Sequence, residues 1–358
     1  MRLRNYRRPA FFTSLLGLLL AIGVNAKAQD AAPQDLETHA GFVPVLSGGA
    51  GYIQNEDGGV VSLEPQINPV LLVAFGKHVL LESRTDFFGF FQRENQTTGP
   101  YKGKVFKSIE FAQIDWLANT HAIVSAGRYL LPFGLYNERL TPLWIHNLQD
   151  APITATIGTR TTGSGDGLML RGNVVQRLSY SIQYTTYFSA FTNIHKLEAA
   201  RTTGFDTSIF FPRPRLEAGV SYQRFLQDRH INSVATYVSW QPRGVPVDIK
   251  AEGDYSYNGR GYWIESAYLF QQLPIPKVFR RTQAVARMQQ FFPINGGGNS
   301  LPTVNSQRFD FGLNYYFRDD LRFVSSYGRR FSSQGNANVW NFGFTYRFMF
   351  PLWPARTK

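Results

Sequence analysis

The chain of 358 residues contains no cysteine. That excludes disulfides, zinc-thiolate sites and cysteine nucleophiles together. It also suits a chain that crosses an oxidising compartment unfolded, where stray thiols would pair. Long apolar runs are missing beyond the first 28 residues. None reaches, without a charge, the ~20 residues that a membrane helix needs. Charge is scarce, at 17% of residues, and the six histidines lie apart without metal-ligand spacing. Gly163-Ser164-Gly165 has one glycine on each side and is not a nucleophile elbow. Gly296-Gly297-Gly298 lacks the lysine and helix of a phosphate loop. His146, Asp150 and Ser164 are the residue types of a hydrolase, without its motif. The expectation is a chain that is no enzyme and that needs no cofactor and no metal.

Aromatic residues are what the sequence has in excess. They make up 15% of it, and phenylalanine alone occurs 30 times. Mean hydropathy is nevertheless slightly negative, so apolar residues are dispersed and not massed into spans. The first segment is the exception. Arg2, Arg4, Arg7 and Arg8 precede an apolar run over 11–24 and the small-x-small site Ala26-Lys27-Ala28. This is the pattern of a secretory signal peptide over 1–28. Its removal takes four Arg and one Lys from a net charge of +12 and leaves +7. In an exported chain such an excess does not point to nucleic acid. It suits a pore wall or lipopolysaccharide.

Near the C-terminus the residues alternate with a period of two. Trp340, Phe342, Phe344, Tyr346, Phe348 and Phe350 stand on one face, with Asn341, Gly343, Thr345 and Arg347 on the other. A strand with lipid on one side and water on the other has this pattern. The stretch also resembles the C-terminal insertion signal of bacterial outer-membrane proteins. It departs from that signal by continuing through 351–358.

The rest of the chain has the same rhythm. Strands are expected at 43–54, 60–75, 78–92, 105–117 and 121–129, with lysines 102, 104 and 107 in a loop. Pro65 and Pro69 predict an irregular second strand. A break in alternation near Gln113-Ile114 predicts a bulge. The acidic, glycine-rich stretch 55–59 reads as a hairpin turn, without full calcium-loop spacing. Further strands follow at 165–174, 178–188, 204–211, 216–225, 231–241, 247–257, 261–271, 278–291, 308–317, 321–331 and 339–350. Short turns alternate with longer connections. The longest, 131–162, holds Pro132, Pro142, Trp144, Ile145, Leu148 and Pro152. A stretch so apolar folds against something, and in a barrel the free surface is the inner wall. The fold class is therefore all-β: a transmembrane antiparallel barrel of about 16 strands with a long, inward-folded third loop. Its parts are a signal peptide at 1–28, a periplasmic lead-in at 29–42, the barrel at 43–350 and an extension at 351–358.

Parity assigns the wall. Glu82, Arg84 and Asp86 share one face of their strand, opposite Leu81, Phe87 and Phe91. One arginine at the lipid midplane would cost ~2–4 kcal/mol, so this polar face is expected to meet water. By the same argument Asp248, Lys250, Glu252 and Asp254 face inward, as do Glu217, Arg308, Asp310, Arg322 and Arg347. Glu110 stands against Ile109 and Phe111.

Gly127-Arg128-Tyr129-Leu130-Leu131-Pro132-Phe133-Gly134-Leu135-Tyr136-Asn137-Glu138 resembles the phosphate-selective porin superfamily of Gram-negative bacteria. There a similar Pro-Phe-Gly stretch leads from a strand into the long third loop. Gly165-Asp166-Gly167-Leu168-Met169-Leu170-Arg171-Gly172 is similar to the strand that re-enters after it. The resemblance implies a 16-stranded outer-membrane porin, often trimeric, whose third loop narrows the pore. Pro132, Phe133 and Gly134 then serve structure: Pro132 ends the strand and Gly134 permits the turn. The expected activity is passive diffusion of small hydrophilic or anionic solutes, with weak anion preference from the +7 charge. The alternative is a non-conducting barrel with a structural or adhesive role. Arg128, Arg139 and Arg160 are candidates for solute contact at the constriction. Arg84, Arg308 and Arg347 are candidates for the basic wall, with Glu82, Asp86, Glu110 and Asp310 as acids beside them. Expected partners are outer-membrane lipid, lipopolysaccharide and two further copies of the chain.

Overall fold

A chain whose polarity alternates every second residue forms sheet, and a sheet in hydrocarbon must close on itself to satisfy its backbone. The computed structural model describes residues 42–55, 60–95, 98–140, 143–157, 163–191, 201–226, 230–295 and 301–350. The expected signal peptide, nearly all of the lead-in, most of the 55–59 turn, Gly296 to Gly298 and the 351–358 extension lie outside the described residues.

The strands are β1 (Phe42–Asn55), β2 (Val60–Phe75), β3 (Val79–Asn95), β4 (Thr98–Asn119) and β5 (Ala122–Leu130). After the long connection come β6 (Ser164–Gln176), β7 (Ser181–Phe191), β8 (Thr202–Phe211), β9 (Leu216–Phe225), β10 (Asn232–Trp240) and β11 (Val247–Ser256). The remainder are β12 (Gly259–Leu269), β13 (Thr282–Pro293), β14 (Ser306–Arg318), β15 (Leu321–Ser332) and β16 (Ala337–Met349). Each pairs antiparallel with its sequence neighbours, and β16 returns to β1, Val45 opposite Met349 through Asn55 opposite Val339. The result is a closed 16-stranded antiparallel barrel. Among the described residues no helix is long and apolar enough to cross a membrane.

The two faces of this sheet are inverted relative to a soluble protein. Ser47, Asn68, Gln223, Gln289, Asn314 and Asn341 are fully buried, at 0% exposure. Between them Phe311 is 60% and Leu313 55% exposed, and Trp116, Leu168 and Ile264 are exposed likewise. On β16 the aromatic face meets that of β15: Phe323 lies edge-on to Phe344 at 5.2 Å, and Tyr327 tilts against Trp340 at 4.4 Å.

The two ends differ. At one end β8 reaches β9 through four residues and β14 reaches β15 through two, and β1 begins and β16 ends there. At the other end lie the connections 131–163, 192–201 and 294–305.

Four local expectations are corrected. Lysines 102, 104 and 107 lie within β4, because the β3–β4 hairpin extends as a paired and exposed ladder. Backbone pairing alone satisfies it, so polar side chains do not end the strand. Leu178 belongs to a turn and is exposed, and β7 starts at Ser181. Residues 279–281 form a single 3-10 turn before β13, since Pro274 and Pro276 keep the preceding stretch out of the ladder. The bulge sits at Glu110, between the Arg84–Phe111 and Thr85–Ile109 pairs, three residues before the visible break in alternation. Pro65 and Pro69 behave as expected: β2 pairs with β1 along its length, but its ladder to β3 skips 64–65 and 68–69.

Candidate functional site

The site is built on residues 131–163, between β5 and β6. Its neck is closed by hydrogen bonds. Leu131 N–H donates to the Gly163 carbonyl (2.8 Å), and Asn137 Nδ2 donates to the carbonyls of both Leu131 (2.6 Å) and Gly163 (2.9 Å). Beside the neck, Arg128 donates to the Ile109 carbonyl (2.6 Å) and pairs with Asp166 (3.2 Å). Pro132 stands two residues past the end of β5, and Phe133 packs with Ile157, Ala235, Phe291 and Leu301.

The Pro-Phe-Gly stretch is seated by strands far away in sequence. Gly134 has φ of +66°, and its N–H donates to Ser221 Oγ of β9 (3.0 Å). The N–H groups of Leu135 and Tyr136 both donate to Glu252 Oε2 of β11 (2.5 and 3.0 Å). They open a single helical turn, α1 (Tyr136–Arg139), so the carboxylate satisfies donors that a helix start leaves unpaired. Arg139 closes α1 onto Glu217 of β9 (2.5 Å) and the Tyr237 hydroxyl of β10 (3.2 Å). Leu135 and Leu140 pack against Tyr237 and Trp263.

Beyond α1 the segment keeps to the polar, buried face of the strands. Trp144 lies under the Arg84 guanidinium of β3, 5.9 Å from ring centre to Cζ. Arg322 of β15 donates to the carbonyls of His146 and Leu143. Asn147 donates to Glu265 of β12 (2.9 Å) and accepts from Asn314 of β14 (2.7 Å). Leu148 packs with Ala267 and Val285. Gln149 stands against Gly51 of β1 and Gly343 of β16, where a Cβ would collide with its amide. Asp150 pairs with Arg308 (2.5 Å), and its carbonyl accepts from Arg287 of β13 (2.9 Å). Ile153 N–H donates to Gln289 (2.7 Å).

The candidate residues are mostly sequestered in pairs. Arg84 is almost fully buried and binds Asp86 through Nε and Nη2 (2.9 and 3.1 Å), while Asn68 also donates to Asp86. Glu82 and Glu110 are half-buried, Glu110 accepting from Ser108 (3.0 Å). Asp310 holds Arg308 (2.7 Å) and Arg287 (3.3 Å). Arg347 is exposed at the short-turn end. Arg160 lies outside the described residues. Sequence reasoning missed Arg287, Glu265 and Asn137. Parity with Gln283 and Gln289 marks Arg287, but the partners of Asn137 leave no local signal.

Space remains on two sides of the segment. A cavity of about 500 Å³ opens toward the short turns, bordered by Arg139, Lys250, Arg322 and Arg347 and, in equal number, by Glu217, Asp248, Asp319 and Asp320. A second, of about 230 Å³, lies between Gln149, Asp150, Glu64, Gln66 and Phe344. Among the described residues buried carboxyl side chains outnumber buried basic ones: Asp86, Asp115, Asp206, Glu252, Asp254, Glu265 and Asp310 against Arg84, Arg128, Lys250, Arg287 and Arg322.

His146 is the unusual titratable group of the segment. Burial, and then the Arg322, Arg287 and Arg84 guanidiniums, push its imidazole down to about 3, against a backbone bond to Leu140. Its Nε2 faces the Tyr136 hydroxyl at 3.3 Å. Burial pushes the Glu138 carboxyl up, opposed by Arg171 (3.6 Å) and Arg139. His146, Asp150 and Ser164 do not meet as a triad: Asp150 is held by Arg308, and Ser164 donates to the Glu110 carbonyl. Among the described residues no cluster of acids and histidines could hold a metal ion.

The sequence matches no protein-family model and no curated protein. The architecture does find counterparts. The chain superposes on OmpF of Salmonella typhi, solved with daunomycin, at a TM-score of 0.58 and 12% identity, covering 87% of this chain and 98% of that one. The barrel has a porin fold. OprB of Pseudomonas putida gives 0.55 at 10% identity over 86% and 93%. An anion-selective porin of Comamonas acidovorans gives 0.52 at 8% over 87% and 100%. At such identities the porin likeness is one of fold.

Proposed function

We propose that the chain is an outer-membrane porin, a pore for passive diffusion of small hydrophilic solutes that is narrowed by residues 131–163. In this reading the polar, buried face is the lumen, and the exposed apolar face meets lipid. One observation carries it: a single segment is hydrogen-bonded to that buried face along the arc from β9 to β15, through Ser221, Glu252, Asn314, Arg308 and Arg322. Export by the 1–28 signal peptide and assembly as a homotrimer belong to the same reading. The likeness to the phosphate-selective superfamily rests on 127–138 and 165–172 alone, and phosphate is not the solute proposed.

The weak anion preference expected from the +7 charge requires those charges to line the pore. The excess of buried carboxyl side chains counts against it, and the sign we favour is a weak cation preference. A second reading has its own support. Trp144 reaches β3, Gln149 reaches β1 and β16, and Asn147 reaches β12 and β14. A segment that spans the bore in this way could seal it, and the barrel would then be structural. Single-channel recording of the refolded mature chain under a potassium chloride gradient separates the readings. Stable conductance steps with a reversal potential of cation sign are expected. An anion sign restores the charge-based expectation, and inserted protein without conductance overturns the pore.

A further inference from the structure

Part of the exposed positive charge stands together at the short-turn end. Three neighbouring turns there join β8 to β9, β10 to β11 and β12 to β13. They carry Arg213, Arg215, Arg243, Lys277, Arg280 and Arg281, and all six are exposed. No acidic residue occurs in 212–215, 241–246 or 270–281. Strands β8 to β13 follow one another around the barrel, so the six cations form one arc.

Three of these side chains are held in place without being neutralised. Arg215 donates to Gln241 (3.3 Å), Arg280 to the Ile275 carbonyl (3.1 Å) and Arg281 to the Phe317 carbonyl (2.7 Å). Prolines at 212, 214, 242, 246, 274 and 276 stiffen the turns, which lowers the entropy lost when the arc is occupied. Between the cations stand exposed apolar side chains: Val245, Val278 at 62% and Phe279 at 58%.

The partner that fits is anionic and apolar at once, at the level where the apolar wall of the barrel ends. We propose that this arc binds the phosphate groups of anionic phospholipid in the leaflet on the short-turn side, with Val278 and Phe279 entering the acyl boundary. Cations beside such a leaflet are attracted by its negative surface potential, and apolar residues among them add burial that a purely polar polymer does not offer. A glycan strand of the cell wall would use the charges and leave Val278 and Phe279 in water. The proposal rests on the barrel lying in a membrane and not on its conducting.

The test uses the full mature chain refolded into nanodiscs of phosphatidylcholine with a minor share of phosphatidylglycerol. Native mass spectrometry then reads the lipids that stay bound. The expected result is several-fold enrichment of phosphatidylglycerol, weakened by salt, and lost when the five arginines and Lys277 are replaced by glutamine. Arg243→Glu alone, at an open turn, is expected to lower the enrichment and guards against misfolding of the multiple variant. Equal retention of the two lipids overturns the proposal. So does enrichment that survives the substitutions, or binding of isolated cell-wall sacculi with no lipid preference.

Discussion

Gly134 and Glu252 are 118 positions apart and meet in a close contact of the long segment. A Cβ on Gly134 would stand 2.5 Å from Glu252 Oε1 and 2.7 Å from its Cδ, on a backbone with φ of +66°. Gly134→Ala therefore combines left-handed strain with displacement of the carboxylate that seats α1. Strain alone costs roughly 1–3 kcal/mol. The barrel ladders contain neither residue's hydrogen bonds to the segment, so the damage is expected to fall on the segment and not on closure. Refolded Gly134→Ala should keep its sheet by circular dichroism and show faster proteolytic cleavage within 135–157. Glu252→Gln, which keeps an acceptor for the Leu135 and Tyr136 N–H groups, should show the smaller effect. Equal protection of all three proteins would mean that this contact does not hold the segment.

At the scale of the element, residues 131–163 gather a buried imidazole into a cluster of arginines. His146 ordinarily titrates at 6.5 and is pushed down to about 3 in its seat. The released segment therefore takes up the proton first. The stabilisation from neutral His146 is whole above about pH 6.5 and is lost as pH falls toward 3, by up to about 1.4 kcal/mol for each pH unit. Glu138 has the opposite sign, because burial favours its neutral form. The wild type is thus expected to lose thermal stability relative to His146→Gln as pH falls from 7 to 4. Parallel melting curves across that range would remove the role given to His146. Of this element the sequence revealed the bounds and the Pro-Phe-Gly start, because a period of two stops at Leu130 and resumes at Ser164. Strand β9 was legible to the residue for the same reason, its Glu217, Ser221 and Gln223 alternating with Leu216, Val220 and Tyr222. The seats of the segment were not legible. Glu252, Arg287 and Asn314 touch it across more than 100 residues, and no local pattern encodes such partners. The bulge at Glu110 was misplaced because alternation shows its effect only downstream.

For the molecule as a whole, the inverted faces are the property that a membrane explains and water does not. Phe311 stands exposed at mid-height of β14, while Phe317 is exposed beside the β14–β15 turn. In a bilayer these are the midplane and the interface. Arginine on the lipid face costs about 2–4 kcal/mol at the midplane and about 0–1 near the interface. In water both substitutions would replace an exposed ring and change stability by about 0.5 kcal/mol or less. Phe311→Arg should therefore lower the denaturant midpoint of the vesicle-inserted barrel far more than Phe317→Arg. Fluorescence during guanidinium-driven unfolding measures both. Similar small effects at the two positions would place the apolar face in water, and the pore and the lipid-binding arc would fall together. A steep dependence on depth would fix the hydrocarbon belt around the middle of β14. It would also set Arg243, Arg280 and Arg281 at the headgroup level, where the attraction to lipid phosphate is strongest.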